Sequence, residues 1–490
     1  MNLKNLLKDA NVLSCNGELN LEISDIIYDS RKAVPNCLYV CLRGHMQNGH
    51  DFFKEAIKRG AIAIVASEKL DAPETTTTIY VENTRKALAV ISAAFFSHPA
   101  SKLLTIAITG TKGKTTCASM IRCILRHANI KTASIGTIGV VFDNEIIDLD
   151  NTTPESYEIQ KYLSIMVDRG YECAIMEVSS LGLKWHRVDS MTFDYGLFTN
   201  FSPDHVGENE HKNLDEYLSC KSILFSRCHV GILNLDDENF NEILKNHTCD
   251  IVTFGFKKGA DFLASDCHLI SKREFLGVRF NLSGKKNLTL DVPVPGKFSV
   301  YNALGAISLC CQLKDKISDK AIIAGLSSVK TRGRTEIINT PSDYTLMIDF
   351  AHNAVSMKSI LMTLREYKPN RLVVLFGAGG ERSKGRRCEM GKIAGKLADF
   401  SILTSDNPRS EDVLDIIDDI KKALDKTRAN YAVFPDRADA INHCIRIANK
   451  GDIIVLAGKG HENYQYTKKG KEYFDEREVI SAALGAAPIE

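Results

Sequence analysis

Fourteen cysteines are scattered through 490 residues without one C-x-x-C pair. The nearest spacings are Cys37 to Cys41 and the adjoining Cys310 and Cys311. That pattern supplies neither a zinc site nor a disulfide framework. Charge of one sign is lacking too. A net charge of +1 predicts neither a nucleic-acid-binding nor a membrane-surface protein. No apolar run reaches the ~18 residues that a membrane span needs. The opening "MNLKNLLKDANVL" has no basic segment followed by an apolar core, so no signal peptide is expected. Low-complexity tracts and internal repeats are absent. These exclusions leave a reduced, cytoplasmic, soluble protein. What the chain does have is 44% apolar residues, enough for several cores, and a length that suggests roughly two to four domains.

Short strands and helices alternate from residue 1 to about 98. "CLYVCLRG" (37–44) reads as a strand, "HDFFKEAIKRG" (50–60) as a helix and "AIAIVAS" (61–67) as a strand, with "SHPASK" (97–102) as a linker. A longer αβ section then begins with the strand "LLTIAIT", a glycine loop and the helix "TTCASMIRCILRHA". Apolar runs near 172–178, 193–199 and 229–234 read as buried parallel strands. The composition turns polar at "VKTRGRTE" (329–336). Beyond it, "YTLMIDFA", "RLVVLFGAGG", "DFSILTSD", "YAVFPD" and "DIIVLAGKG" read as strands with helices between them. Strands ending in glycine or acidic residues suit a doubly wound sheet, whose ligands bind beyond the strand C-termini. The predicted fold class is α/β in three domains, 1–98, 99–331 and 332–490: a small αβ domain, a central parallel-sheet domain with a phosphate loop, and a Rossmann-like domain.

The loop Gly110-Thr111-Lys112-Gly113-Lys114-Thr115-Thr116 follows an apolar strand and opens a helix. Its glycines let backbone N–H groups approach phosphate oxygens, and the helix N-terminus adds partial positive charge. Lys114 can reach the β- and γ-phosphates of ATP, and the Thr115 hydroxyl can ligate Mg²⁺. The loop is short: Ile108 stands where the usual first glycine would be. Glu177 ends an apolar strand, as a Mg²⁺ ligand or a solvated acid would. Asp204 and His205, in "FTNFSPDHVGENEH", fall at the same edge, where an ordinary loop histidine is the default. Lys221 sits inside a stripe formed by Leu214, Tyr217, Leu218, Leu224 and Phe225. Its stem could snorkel; alternatively its amine could be carbamylated by CO₂, becoming an anion suited to Mg²⁺.

These residues, in this order, resemble the Mur ligase family of peptidoglycan synthesis, over nearly the whole chain. The short loop form T-G-T-x-G-K-[ST]-T is characteristic of that family. Further matches are "YDSRKAVPNCLYVCLRG", "NTTPES" (151–156), "MEVSS" (176–180), "HRV" (186–188), "SPDH", "YLSCKSILF", "VYNALGAI" (300–307), "GRTE" (333–336), "IDFAHN" (348–353), "GAGGERSKGRR" (377–387), "DNPRSED" (406–412), "GKGHE" (458–462) and "FDEREV" (474–479). The resemblance is strongest to the branch that adds the third residue of the stem peptide. It implies UDP-sugar binding in the first domain, ATP binding in the second and amino-acid binding in the third. Lys114, Glu177, His205 and Lys221 are then catalytic, and Thr115, Glu177, His205 and carbamylated Lys221 surround Mg²⁺. Asn302 would meet adenine, with Arg334 and Asp349 nearer ribose and phosphates. Ser30, Asn151, Thr152, Thr153, Ser179 and Arg187 would hold a UDP-muramoyl dipeptide.

The implied reaction moves the γ-phosphoryl of ATP to the terminal carboxylate of that dipeptide. An incoming amine attacks the acyl phosphate through a tetrahedral intermediate and releases phosphate, with no protein nucleophile. "DNPR" accompanies meso-diaminopimelate in the family, while lysine-adding members usually lack its arginine. Arg382, Asp406, Asn407, Arg409, Gly458 and Glu462 would form the amino-acid site, with Arg409 on the far carboxylate and Glu462 on the far ammonium. Two positions depart from the pattern: Leu181 follows the serines of "EVSS", and Trp185 precedes "HRV", each where a polar residue is usual. L-lysine as substrate, a folylpolyglutamate-synthase-like ligase, a nucleotide-binding regulator without catalysis and a small-molecule kinase are the competing readings. The partners expected are small molecules, with no nucleic acid and no membrane insertion; a monomer is one expectation, the oligomeric state being open.

Overall fold

The computed structural model describes residues 1–44, 47–143, 145–203, 207, 210–272, 275–313 and 316–485. The chain forms two compact units, Met1–Leu263 with Leu304–Gly325, and Ala264–Ala303 with Leu326–Glu490.

The first unit holds two sheets. The N-terminal one orders its strands Val12–Asn16, Thr77–Val81, Ala61–Ala66, Cys37–Val40 and Ile26–Ile27. Only the Val12–Asn16 edge runs antiparallel. Its strands bury both faces: Leu38, Val40 and Val65 pack with Leu88 and Ile91 of helix Thr84–Phe95, while Tyr39, Ile64 and Ala66 pack with Phe53 and Ala56. Burial on both sides explains why these strands read as unbroken apolar runs.

The second sheet of this unit carries the parallel strands Asp250–Gly255, Cys228–Asn234, Phe193–Phe198, Leu104–Thr109, Cys173–Glu177 and Thr132–Gly136, in that order. Two short antiparallel strands, Gly139–Val141 and Ile146–Ile147, extend it beyond Thr132–Gly136. Leu104–Thr109 is therefore interior, and the glycine loop leaves its C-terminal end. Glu177 lies in register with Ile108, which brings that acid to the same edge.

The second unit contains the antiparallel pair Phe275–Gly284 and Leu288–Val292. It also has a six-stranded sheet ordered Glu336–Ile338, Thr345–Asp349, Ile453–Ala457, Leu372–Phe376, Phe400–Leu403 and Asn430–Val433. All but the first strand are parallel. Alternate residues face opposite cores. Met347, Val374, Phe376 and Val455 meet helices Ala354–Arg365, Lys384–Leu397 and Val413–Leu424; Leu346, Ile348, Leu375 and Leu456 meet helices Arg437–Arg446 and Glu476–Leu484. Helices on both faces make this a doubly wound sheet, as expected. The order breaks at Ile453–Ala457, so the loops after Asp349, Phe376, Leu403 and Ala457 converge on one edge, where such sheets bind ligands.

The predicted strands lie in the right places but most end early. The strand read over 371–380 closes at Phe376, and that read over 452–460 closes at Ala457. Glycines and polar loop residues carry the chain away from the sheet there. The helix read over 50–60 is a 3₁₀ turn, Gly49–Phe52, followed by the α-helix Phe53–Lys58. The linker read over 97–102 holds the 3₁₀ turn Pro99–Lys102, preceded by Ser97 and His98 at positive φ.

Candidate active site

Gly110 has φ +140°, and a Cβ there would lie 1.9 Å from Thr199 Oγ1, so the close turn requires glycine. Gly113 immediately precedes helix Lys114–His127. Having no side chain, it leaves the first-turn N–H groups uncapped for an anion. Lys114 Nζ donates to the carbonyls of Gly110 (2.9 Å) and Thr111 (3.2 Å). The buried Lys221 amine donates to the same Gly110 carbonyl at 2.9 Å and lies 4.4 Å from the Tyr217 ring centroid. Tyr217 OH in turn donates to Thr111 Oγ1 at 3.1 Å. The phosphate loop and the helix Leu214–Ser222 are thus tied by side chains from both.

Glu177 is 3% exposed, and its carboxylate is surrounded by neutral donors. Thr115 Oγ1 donates to Oε2 at 2.9 Å, Thr137 Oγ1 to Oε2 at 3.1 Å and Thr137 N to Oε1 at 3.0 Å. A Cβ on Gly136 would fall 2.3 Å from Oε1, so the carboxylate occupies space that glycine leaves. Thr137 bonds onward to Thr152 (3.1 Å). Thr153 Oγ1 donates to the Glu177 carbonyl at 2.9 Å and accepts from Ser179 N at 2.9 Å. Arg187 donates to Thr153 O at 2.7 Å and to Glu155. Thr115, Glu177, Thr152, Thr153, Ser179 and Arg187, which the sequence marks separately, therefore form one bonded network. Thr137 belongs to it and was missed; its signal is the Gly-Thr that ends the strand Thr132–Gly136. Ser30 lies elsewhere, donating to Glu55 at 3.1 Å, and Asn151 is exposed in its loop. Asp204 and His205 lie outside the described residues.

Trp185 stacks with Arg85, whose guanidinium carbon lies 4.8 Å from the ring centroid. Arg85 also pairs with Glu155 at 3.0 Å, the carboxylate that Arg187 uses. The departure at 185 thus replaces a polar side chain with an aromatic platform beside the Arg187 network.

In the second unit, Arg382, Asp406, Asn407, Arg409, Gly458 and Glu462 all line one cavity of ≈ 220 Å³, with Phe350 and His352. Arg409 has φ +54° and donates through Nη1 to Gly380 O at 2.7 Å. A Cβ on Gly458 would lie 2.7 Å from Asp406 Oδ2, so glycine is needed where that carboxylate approaches. Burial pushes Glu462 up from the usual carboxylate range, against the pull of Lys459. Behind the cavity, the buried Arg437 donates to Ser405 O (3.0 Å), Ala457 O (2.9 Å) and Glu476 (2.9 Å), pinning two strand ends to the last helix. Arg437 was missed, because its partners lie far along the chain. Arg334 stacks on Phe350 at 4.7 Å, and burial raises the Asp349 carboxyl while Arg334 lowers it. Asn302 is buried in helix Phe298–Cys310.

A parallel sheet whose interior strand leads through a glycine loop into a helix defines a nucleotide-binding P-loop protein. Three family models match the chain: "Mur ligase family, catalytic domain" over residues 22–96, "Mur ligase middle domain" over 108–310, and "Mur ligase, glutamate ligase domain" over 333–460. The chain is 40% identical over 470 residues to a UDP-N-acetylmuramoyl-L-alanyl-D-glutamate–2,6-diaminopimelate ligase of Caldanaerobacter subterraneus subsp. tengcongensis, covering 96% of each protein. It is 39% identical over 491 residues to the second such ligase of Clostridium acetobutylicum, covering 99% of this chain and 100% of that one. A solved structure of a ligase of the same description superposes with TM-score 0.71 at 26% identity, covering 99% of both chains. The chain belongs to the Mur ligase family. No helix among the described residues is long and apolar enough to cross a membrane.

Proposed function

We propose that this chain is the ATP-dependent ligase that joins meso-2,6-diaminopimelate to UDP-N-acetylmuramoyl-L-alanyl-D-glutamate in peptidoglycan synthesis, in the cytoplasm. The reading includes three domains at 1–98, 99–331 and 332–490. The observation that carries it is the composition of the second-unit cavity. Two guanidiniums, Arg382 and Arg409, and the carboxylate of Glu462 line the same space. Diaminopimelate has a carboxylate and an ammonium at its far end, whereas L-lysine has only the ammonium there. A guanidinium facing the second carboxylate favours the former.

In the first unit, the loop N–H groups and Lys114 bind the phosphates of ATP and stabilise the charge of the transferring phosphoryl. Glu177 and the Thr115 hydroxyl are hard oxygen donors held 2.9 Å apart, which fits Mg²⁺. Bound there with His205, Mg²⁺ would neutralise phosphate charge. Carbamylation of the neutral Lys221 amine forms an N–C bond to CO₂ and releases a proton, leaving an anion beside the phosphate loop. Thr152, Thr153, Ser179 and Arg187 hold the acceptor, with Ser30 and Asn151 completing its contacts, so that its terminal carboxylate takes the phosphoryl group. Asn302, Arg334 and Asp349 contact the nucleoside side of ATP. The amine of the incoming residue then displaces phosphate from the acyl phosphate.

The test supplies UDP-muramoyl dipeptide, ATP, Mg²⁺ and diaminopimelate, then omits each in turn. Phosphate release is expected only in the complete mixture, with a product whose mass equals the two joined substrates less water. A phosphorylated dipeptide accumulating without amine would instead make the protein a kinase, and no ATP turnover would make it a regulator.

A further inference from the structure

Lys459 is 0% exposed, yet it belongs to the loop that lines the amino-acid cavity. Its amine donates to Tyr464 O at 2.7 Å, to Asn407 Oδ1 at 2.8 Å and to Glu462 Oε2 at 3.3 Å, with Asp406 Oδ1 at 3.7 Å. Asn407 Oδ1 also accepts from Tyr466 N at 2.9 Å. An amide atom that receives two donors must be the oxygen, which settles the orientation of the group. The amide nitrogen is therefore turned to Glu462 Oε2, at 3.0 Å. Both ends of the Asn407 side chain are thus occupied by protein. Glu462 Oε2 takes donors from both Asn407 and Lys459, while no donor among the described residues reaches Oε1.

We infer that Lys459 and Asn407 are a positioning pair that aims Glu462, tying one carboxylate oxygen so that the other meets the far ammonium of the diamino acid. This rests on the placement of that substrate in the cavity. The charges support it. Lys459 offsets one of the two carboxylates, Asp406 and Glu462, so this end of the cavity keeps one net negative charge for one cation. Arg409 and Arg382 lie at the same cavity for the carboxylate, and Arg437 stands behind Lys459. Asn407, read from sequence as a contact residue, lines the cavity and in addition acts through Glu462, its amide keeping a second N–H for the substrate. The hairpin Tyr464–Thr467 with Gly470–Tyr473 contributes Tyr464 O and Tyr466 N, and Gln465 Nε2 fastens it to Ser405 Oγ at 2.8 Å.

The experiment compares the native enzyme with Glu462→Gln, Lys459→Met and Asn407→Asp, measuring kcat and KM for each substrate against pH. Asn407→Asp keeps the shape and both bonds at Oδ1, but turns the donor facing Glu462 into an acceptor. The KM for diaminopimelate should rise about 10- to 100-fold in Lys459→Met and Asn407→Asp, the scale for losing a hydrogen bond to a charged group. The KM values for ATP and the nucleotide sugar should stay put. Binding needs ionised Glu462, so amino-acid affinity falls as pH drops through its pKa; Asn407→Asp should move that acid limb to higher pH. If Glu462→Gln binds the amino acid as the native enzyme does, the substrate placement fails and the inference with it. If Glu462→Gln weakens binding but Asn407→Asp leaves both KM and the limb unchanged, the inference alone is overturned. Should Lys459→Met fail to fold, Asn407→Asp decides.

Discussion

Lys221 in the first unit and Lys459 in the second both end with amines out of solvent, at 1% and 0% exposure. Around Lys459 stand two carboxylates and two carbonyl-type acceptors. Lys221 donates to the Gly110 carbonyl and lies against the face of Tyr217. The groups around Glu177 and those of the second-unit cavity differ in charge. Glu177 is held by threonine hydroxyls and a backbone N–H, all neutral, whereas the cavity of the second unit is built from fixed ions. A site that, by our proposal, receives a highly charged nucleotide and a metal leaves room for their charges. One that must tell one amino acid from another carries its own charges in place. Burial of a lysine has two readings here: an amine set between carboxylates in the second unit and, by our proposal, an amine to be made anionic in the first.

The strongest way to break this comparison is at the phosphate loop. Lys114→Ala should lower ATP consumption by roughly 10²–10³-fold, the scale for removing one pre-aimed electrostatic donor. ADP formation at a normal rate, with acceptor present and the fold intact by circular dichroism, would show that the loop is misread. Lys221→Ala should lose about 10²-fold, and short carboxylic acids added to the assay should restore part of it by standing in for the carbamate. Near-normal turnover without added acid would make Lys221 a structural lysine, like Lys459.

In the second unit the expected effects are smaller. Arg409→Ala should cost diaminopimelate about 2–3 kcal/mol, roughly 30- to 150-fold in kcat/KM relative to L-lysine. Equal weakening of both substrates would remove Arg409 from the specificity argument. The last effect concerns stability, not turnover. Burial, followed by Arg334, Arg477 and Arg332, pulls the His461 pKa down to about 3. An unfolded histidine titrates near ~6.5, so below that pH the unfolded chain takes up a proton that the folded chain refuses. This contribution is complete above about 6.5 and declines as pH falls toward 3, by up to about 1.4 kcal/mol per pH unit. Chemical denaturation between pH 7 and pH 4 should show a shallower acid limb for His461→Gln than for the native protein. Equal slopes would mean that His461 is not held neutral.

The motifs were legible because each lies at a strand end, where apolar runs stop and glycine or charge begins. Thus Gly110, Glu177, Asp406 and Gly458 could be placed on a common kind of edge before any fold was known. What was not legible is who satisfies whom. Lys459 sits between two glycines and three residues before Glu462 in sequence, and nothing local says that its amine turns away from solvent. Arg437 opens a helix, and its partners Ser405, Ala457 and Glu476 come to it only through the strand order. Asn407 shows the same limit, since its amide orientation follows from Tyr466 and Lys459, both on other segments. Strand ends were overrun, as at 371–380, because glycine after an apolar run continues a strand pattern until the fold turns it into a loop.

The most direct measurement is competition between meso-diaminopimelate and L-lysine for the native protein, with UDP-muramoyl dipeptide, ATP and Mg²⁺ present, scored by product mass. The expected result is the diaminopimelate product in large excess at equal concentrations of the two amino acids. A majority of the L-lysine product, or equal amounts of both, would contradict the assignment of the second-unit cavity.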